Sequence, residues 1–253
     1  MDIEKAYQAI INGIQNYFRD NNFKNAVLGV SGGLDSSVTV KLAADALGPE
    51  NVIALTMPET GITSTENMMH AKKLCEFLGV HSLNQSINSY MLNYATLPWK
   101  QSDMANMNTK ARVRGTILYN FANTHNALVI GTANKSELML GYGTKHGDLA
   151  ADIFPLGDMF KTEVYALADF LEMPKEIIEK IPTAELYPGQ TDAAELGGSY
   201  EELDVILKQY ELGEDMLIEK GMNAVLVRKV FMRMKANKHK LEKPFVVKVE
   251  NDL

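Results

Sequence analysis

Apolar residues recur at helical spacing through Ile3, Tyr7, Ile10, Ile14, Tyr17 and Phe18, which predicts an amphipathic first helix. Asn21 and Asn22 break it. The continuous apolar run over residues 26–30 then predicts a short buried strand. Val38, Leu42, Ala43 and Ala46 mark the buried face of a second helix, which Gly48-Pro49 stops. A second strand is predicted over 52–57, followed by a turn-rich segment, MPETGITS. Thr63 with Glu66 predicts a capping box for the next helix, and Gly79 its end. A weaker strand over 80–86, helical patterns over 87–97 and 106–125, and the apolar run ALVIG over 127–131 follow. Strands that alternate with helices in this way predict a parallel sheet with helices on both faces. Ligands of such sheets bind beyond the carboxyl ends of the strands. The segments after Val30, Met57 and Gly131 are therefore expected to converge.

Beyond residue 131 the pattern loosens. Short helices are expected near 134–140, 159–171 and after Pro174, and two more near 200–210 and 223–235. Residues 182–199, rich in Gly, Pro and polar side chains, have the composition of a mobile loop, and loops this long are often lids. No linker divides the chain, so residues 1–253 are expected to form a single domain.

Composition narrows the class. The apolar fraction, 46%, is enough for a full core. No apolar run reaches a membrane span, and the acidic, amphipathic start does not read as a secretory signal, so a cytoplasmic protein without membrane contact is expected. The single cysteine, Cys75, cannot form an internal disulfide, and its helical stripe with Met68, Ala71 and Leu78 suits a buried thiol. A net charge of −7 argues against a general nucleic-acid binder. The five histidines form no metal cluster in the sequence; His70, His81 and His125 fit surfaces of predicted elements, and His146 lies in a polar loop.

The chemistry concentrates at AVLGVSGGLDSS, residues 26–37, where strand, glycine turn and helix meet. The junction offers unpaired N–H groups and a helix N-terminus to an anion, and the glycines let backbone approach a phosphate closely. The hydroxyls of Ser31, Ser36 and Ser37 are further candidate donors. The G-x-x-x-x-G-K-[ST] loop of kinases and GTPases is absent. Instead, residues 31–36 resemble the SGGxDS loop of the N-type ATP pyrophosphatases, which cleave ATP between the α and β phosphates. Read without that resemblance, Asp35 is a plain helix cap.

Six further blocks narrow the family: NTKAR at 108–112, GTANKSE at 131–137, GTKHGDLAAD at 143–152, PLGDMFK at 155–161, PTAE at 182–185 and HK at 239–240. In order and spacing they resemble the synthetase domain of the NAD synthetases over nearly the whole chain. The resemblance implies a Rossmann-like three-layer sandwich with a mainly parallel sheet, of the adenine nucleotide alpha hydrolase-like type. It implies a ligase that amidates nicotinic acid adenine dinucleotide (deamido-NAD), with ATP as co-substrate and Mg2+ as cofactor. ATP adenylates the nicotinate carboxylate and releases pyrophosphate; ammonia then displaces AMP and leaves NAD. It assigns ATP to Gly29, Val30, Ser31, Gly32, Gly33, Leu34, Asp35, Ser36, Thr132, Lys161 and Thr183. It assigns Mg2+ to Asp35 and Glu137, and deamido-NAD to Arg112, Lys145, Asp152, His239 and Lys240.

Lys161 is expected to meet ATP phosphate as a point charge and to count among the catalytic residues. Asp148 is the candidate that attracts ammonium and takes its proton, since ammonium has no lone pair; it reads equally as a turn residue. Thr132 and Thr183 also read as turn or cap hydroxyls, and Glu137 as a first-turn acid. Residues 228–243 hold seven Lys/Arg and one acid, a solvated face or a seat for the substrate's pyrophosphate. GMP and asparagine synthetases share the loop but usually carry a glutaminase domain, for which this chain has no room, so free ammonia is the expected donor. The tRNA sulfur-transfer members use cysteines and a basic surface. A nucleotide-binding regulator would leave Glu137, Lys161 and the substrate blocks without purpose. The family also implies a homodimer, with the first helix and residues 87–125 as candidate surfaces.

Overall fold

The computed structural model describes residues 1–183, 186, 187 and 189–249. The first half runs α1 (Ile3–Asp20), β1 (Asn25–Gly29), α2 (Leu34–Leu47), β2 (Val52–Thr56), α3 (Thr65–Leu78), β3 (His81–Asn84), α4 (Asn88–Tyr94), α5 (Asp103–His125) and β4 (Ala127–Val129). The second half is helical: α6 (Lys135–Leu140), α7 (Lys161–Phe170), α8 (Lys175–Ile178), α9 (Asp192–Leu196), α10 (Tyr200–Leu207), α11 (Glu214–Glu219) and α12 (Ala224–Asn237).

The four strands are all parallel, in the order β3-β2-β1-β4. Alternate residues of β1 face opposite layers. Ala26 and Leu28 pack with Ile14, Phe18, Val38, Leu42 and Val164 under α1, α2 and α7. Val27 packs with Leu55, Ile87, Val113 and Ala122 under α4 and α5. This is the expected α/β three-layer arrangement. A separate apolar cluster, centred on Leu203, Leu217 and Val227, ties α6 to α10, α11 and α12.

The order reverses between β1 and β4: β1 continues through β2 to β3, and the chain then returns to the other side of β1. Such a switch point leaves a crevice at the carboxyl ends of the two strands, where ligands of doubly wound sheets bind.

Three local expectations need correction. The cap of α3 is Ser64, whose hydroxyl accepts from the N–H of Asn67 at 3.3 Å; Thr63 instead accepts from the N–H of Glu59. The long central helix α5 begins at Asp103, capped by Ser102, ahead of the expected residue 106. Residues 192–196, expected as part of a loop, form α9, because Thr191 caps it and Asp192 and Leu196 are buried. Ala184, Glu185 and Pro188 of that segment lie outside the described residues, and with them half of the PTAE block.

Candidate active site

The phosphate loop is built from its own serines. The Ser36 hydroxyl donates to the Gly33 carbonyl at 3.1 Å and accepts from the N–H of Ser31 at 3.2 Å. The N–H of Gly33 donates to the Ser31 hydroxyl at 3.2 Å. Gly32 takes φ +81°, and its bare α-carbon sits against the Asn67 carbonyl, where a Cβ would collide. Gly33, the N-cap of α2, supplies no side-chain cap. The first N–H groups of a fourteen-residue helix are thus left for a ligand at the carboxyl edge of β1. Ser31 and Ser36 line the cavity there. Ser37 does not serve as a donor to it: the residue is fully buried and its hydroxyl makes no hydrogen bond among the described residues.

Asn134 joins the ends of β1 and β4. Its side-chain amide donates to Asp35 Oδ1 at 3.1 Å, while its side-chain oxygen accepts from the N–H of Glu137 at 3.0 Å. Glu137 Oε2 accepts from the N–H of Asn134 at 3.1 Å, which completes a capping box on α6. Lys161, at the start of α7, forms an ion pair with Asp35. It is 2% exposed, so it is no solvated surface lysine. Burial alone would lower its ammonium, but Asp35 and Glu137 outweigh burial and hold it above the usual lysine range. Burial, then the Asp35 charge, push the Glu137 carboxyl well above the carboxylate range, against the pull of Lys161.

Buried Asp204 of α10 braces this group from behind. Its carboxylate accepts from the Ser136 hydroxyl at 2.5 Å and from the N–H of Thr162 at 2.8 Å, locking the starts of α6 and α7 together. Asp35, Glu137 and Lys161 therefore converge from three elements that lie far apart in the chain.

They line a cavity of about 430 Å3 at the switch point. Gly29, Val30, Gly33, Leu34, Thr132, Thr183, Asp148 and Lys240 line it too. Asp148 Oδ1 accepts from the N–H of Thr144 at 2.9 Å. The residue keeps exposed surface, and that surface faces the cavity. Crowding by the cavity walls pushes its carboxyl up, and the Thr144 N–H and Lys240 pull it back. Lys240 donates to the carbonyls of Gly141 and Gly143 at 2.8 and 3.0 Å.

The other residues expected at the dinucleotide stand apart from this wall. Arg112, exposed, donates to the Lys145 carbonyl at 3.2 Å, and Lys145 donates to the His239 carbonyl at 2.5 Å. These three form a connected group outside the cavity lining. Asp152 also lies outside it, accepting from the N–H of Val129 at 2.7 Å and from the Tyr119 hydroxyl at 3.3 Å.

Several cavity residues carry no local sequence signal. Buried Asp192 accepts from the hydroxyls of Tyr142 at 3.1 Å and Tyr200 at 2.9 Å. Burial pushes its carboxyl up. Lys180 donates to the Gly32 carbonyl at 2.9 Å and so ties the segment before residue 182 to the phosphate loop. Outside the cavity lining, buried Lys110 of the NTKAR block pairs with Glu59 at 2.7 Å and donates at 3.2 Å to the carbonyl of Leu186, which does line it.

Asp35 and Glu137 also suit a divalent cation. The Asp35 charge raises the cost of ionising Glu137, the ammonium of Lys161 acts on both, and a hard cation with oxygen ligands would offset the excess charge. Among the described residues no group of three or more His, Cys, Asp or Glu gathers at one point, so phosphate oxygens and water would complete such a shell.

Comparison with known proteins agrees with this geometry. The family model of NAD synthase matches residues 6–244. The NH(3)-dependent NAD(+) synthetase of Methanocaldococcus jannaschii is 44% identical over 251 residues, covering 95% of this chain and 96% of its own. The solved structure of NMN synthetase from Francisella tularensis superposes with a TM-score of 0.87 at 31% identity, covering 98% and 100% of the two chains. That of the NH3-dependent NAD synthetase from Campylobacter jejuni, in complex with a nitrate ion, superposes with a TM-score of 0.84 at 33% identity and the same coverage.

Proposed function

The chain belongs to the NAD synthase family, and from that premise we propose how its own residues carry the reaction. It is an ATP-dependent ligase that amidates deamido-NAD with ammonia and leaves NAD, AMP and pyrophosphate. The observation that carries the assignment of roles is the convergence of Asp35, Glu137 and Lys161 beside an uncapped helix N-terminus.

The phosphate loop, residues 29–36, holds the β and γ phosphates through its N–H groups and the start of α2. Thr132 and Thr183 flank the nucleotide. Lys161 neutralises charge that develops when the nicotinate carboxylate attacks the α-phosphorus. That attack forms the mixed carboxylic–phosphoric anhydride, the acyl adenylate, and breaks the α-phosphorus bond to the bridging oxygen, so pyrophosphate leaves with the electron pair. Asp35 and Glu137 would hold Mg2+, whose chemistry when bound is to neutralise phosphate charge. Asp148 faces the same cavity and takes the proton of ammonium. The freed ammonia then attacks the acyl carbon, the acyl carbon–oxygen bond breaks so that AMP departs with the electron pair, and the new amide nitrogen releases a second proton to solvent. Arg112, Lys145, Asp152, His239 and Lys240 bind or frame the dinucleotide.

Residues 1–253 act as one synthetase unit. Among the described residues no helix is long and apolar enough to cross a membrane, and we place the enzyme in the cytoplasm. We expect a homodimer. Tyr90, Leu92, Tyr94, Trp99 and Met104 expose apolar surface within the segment expected to pair.

The test is to incubate the protein with ATP, Mg2+, deamido-NAD and ammonium chloride, and to measure NAD, AMP and pyrophosphate. NAD and AMP in equal amounts, dependent on ammonium and not matched by glutamine, are expected. The likeness to an NMN synthetase favours a second reading, a mononucleotide substrate. Faster amidation of nicotinate mononucleotide than of deamido-NAD would establish it. Pyrophosphate release without either product would refute both.

A further inference from the structure

Arg233 projects from α12 to the cavity wall beside Tyr142 and Lys240. Its Nη1 donates to the Glu195 carbonyl at 3.1 Å, and its guanidinium lies 5.4 Å from the centre of the Tyr142 ring. Its Nε is buried and has no hydrogen-bond partner among the described residues. A buried charged donor left without a partner is costly and needs an explanation. With Nη1 engaged, the edge left over is Nε with Nη2, which can give two parallel bonds to a phosphate or carboxylate.

Lys240 shares that wall. Its ammonium is satisfied by two backbone carbonyls, and among the described residues neither cation has a carboxylate within ion-pair distance. Burial, and then the neighbouring Arg233 charge, pull the Lys240 ammonium down. In a protein with a net charge of −7, two adjacent cations that form no ion pair among the described residues, with only the Asp148 charge acting on Lys240 from a distance, describe a seat for an anion.

Tyr142 decides which anion. Its ring faces Arg233, and its hydroxyl donates at the far end to Asp192, on whose carboxylate the Lys161 charge acts. One side chain thus separates Arg233 from the reacting end of the cavity. The nicotinate carboxylate must reach the α-phosphorus beside Lys161, so it is the phosphates of the same molecule that fall at Arg233. We propose that Arg233, with Lys240, binds the diphosphate of the pyridine dinucleotide through its free guanidinium edge. The assignment rests on the synthetase reading above.

The test compares wild type with Arg233→Met and Arg233→Lys. Binding of deamido-NAD and of NAD is titrated calorimetrically without ATP, and KM is measured for deamido-NAD and ATP. Both dinucleotides carry the diphosphate but only one carries the carboxylate. The expected result is a rise in Kd of about tenfold or more for both ligands in Arg233→Met, by similar factors. KM for deamido-NAD rises with it, while kcat and KM for ATP stay within about threefold. Arg233→Lys, which keeps the charge and loses the fork, should lie between the two. Loss of affinity for deamido-NAD alone would show that Arg233 reads the carboxylate and overturn the proposal. Unchanged binding with a lowered melting temperature would make Arg233 a scaffold residue and also overturn it. Should Arg233→Met not fold, the lysine variant decides by the same pair of ligands. A wild type that binds both dinucleotides but forms no NAD would sink the synthetase reading and leave this one standing.

Discussion

Replacing Lys161 by methionine should destabilise the protein more than an ordinary core substitution. The lysine side chain is 3% exposed and faces an Asp35 carboxylate that is 17% exposed. Methionine keeps much of the stem and removes the charge. Asp35, Glu137 and Asp192 would then surround a site without a cation. Removing one partner of a buried pair costs about 3–5 kcal/mol, because the other charge stays buried and uncompensated. For a chain of this length the unfolding entropy is about 0.5 kcal/mol per kelvin, so the melting temperature should fall by about 6–10 °C. The comparison is made by calorimetry at one protein concentration, since an oligomer's midpoint depends on it. Adding Asp35→Asn to Lys161→Met removes the stranded charge and should recover at least half of the loss. Mg2+ should raise the midpoint of Lys161→Met more than that of wild type, because it replaces the missing positive charge. A variant that melts within about 2 °C of wild type, or a double variant no more stable than the single one, would refute the reasoning.

Gly32→Ala should lower ATP-dependent pyrophosphate release by at least about tenfold and leave dinucleotide binding intact; a positive φ costs alanine about 1–2 kcal/mol before the collision with the Asn67 carbonyl is counted. Since the cavity walls push the Asp148 carboxyl up, the acid limb of kcat/KM should lie above the range of an ordinary aspartate, with activity rising as the group loses its proton. Asp148→Asn should remove that limb and lower NAD formation well below a surface control, and a profile identical to wild type would exclude the role. Burial pushes the Cys75 thiol up to about 11, so iodoacetamide at pH 8 should leave the native protein unmodified and label it readily in urea.

The parts of the site legible in the sequence are those made by neighbours in the chain. Strand, glycines and helix start fall within a dozen residues, and their local geometry is dictated by residue type. Asn134 and Glu137 are similarly readable, because a capping box is a three-residue rule. Asp204 is not. Its partners Ser136 and Thr162 are 68 and 42 residues away, and nothing in a run of helix-forming residues marks a buried carboxylate. The segment around Asp192 misleads for the same reason. Its composition is that of a loop, yet two tyrosine hydroxyls and an apolar floor at Leu196 fix a helical turn there. Arg233 left one faint signal. It lies with Lys240 in one basic run, but α12 ends at Asn237 between them, so helical spacing does not reveal that the two share a wall.

The two lysines that grip the glycine-rich segment reach across nearly a hundred residues. Lys240 holds the carbonyls of Gly141 and Gly143, and Lys145 holds that of His239. The phosphate loop, by contrast, closes on itself within residues 31–36. On a ribosome that adds about 5–20 residues per second, the two events are separated by about 10–40 seconds. A nascent chain can therefore shape its nucleotide loop well before the clasp assigned to the dinucleotide exists. Because Lys240 lines the same cavity as the phosphate loop, that cavity has its full wall only after residue 240 has been added.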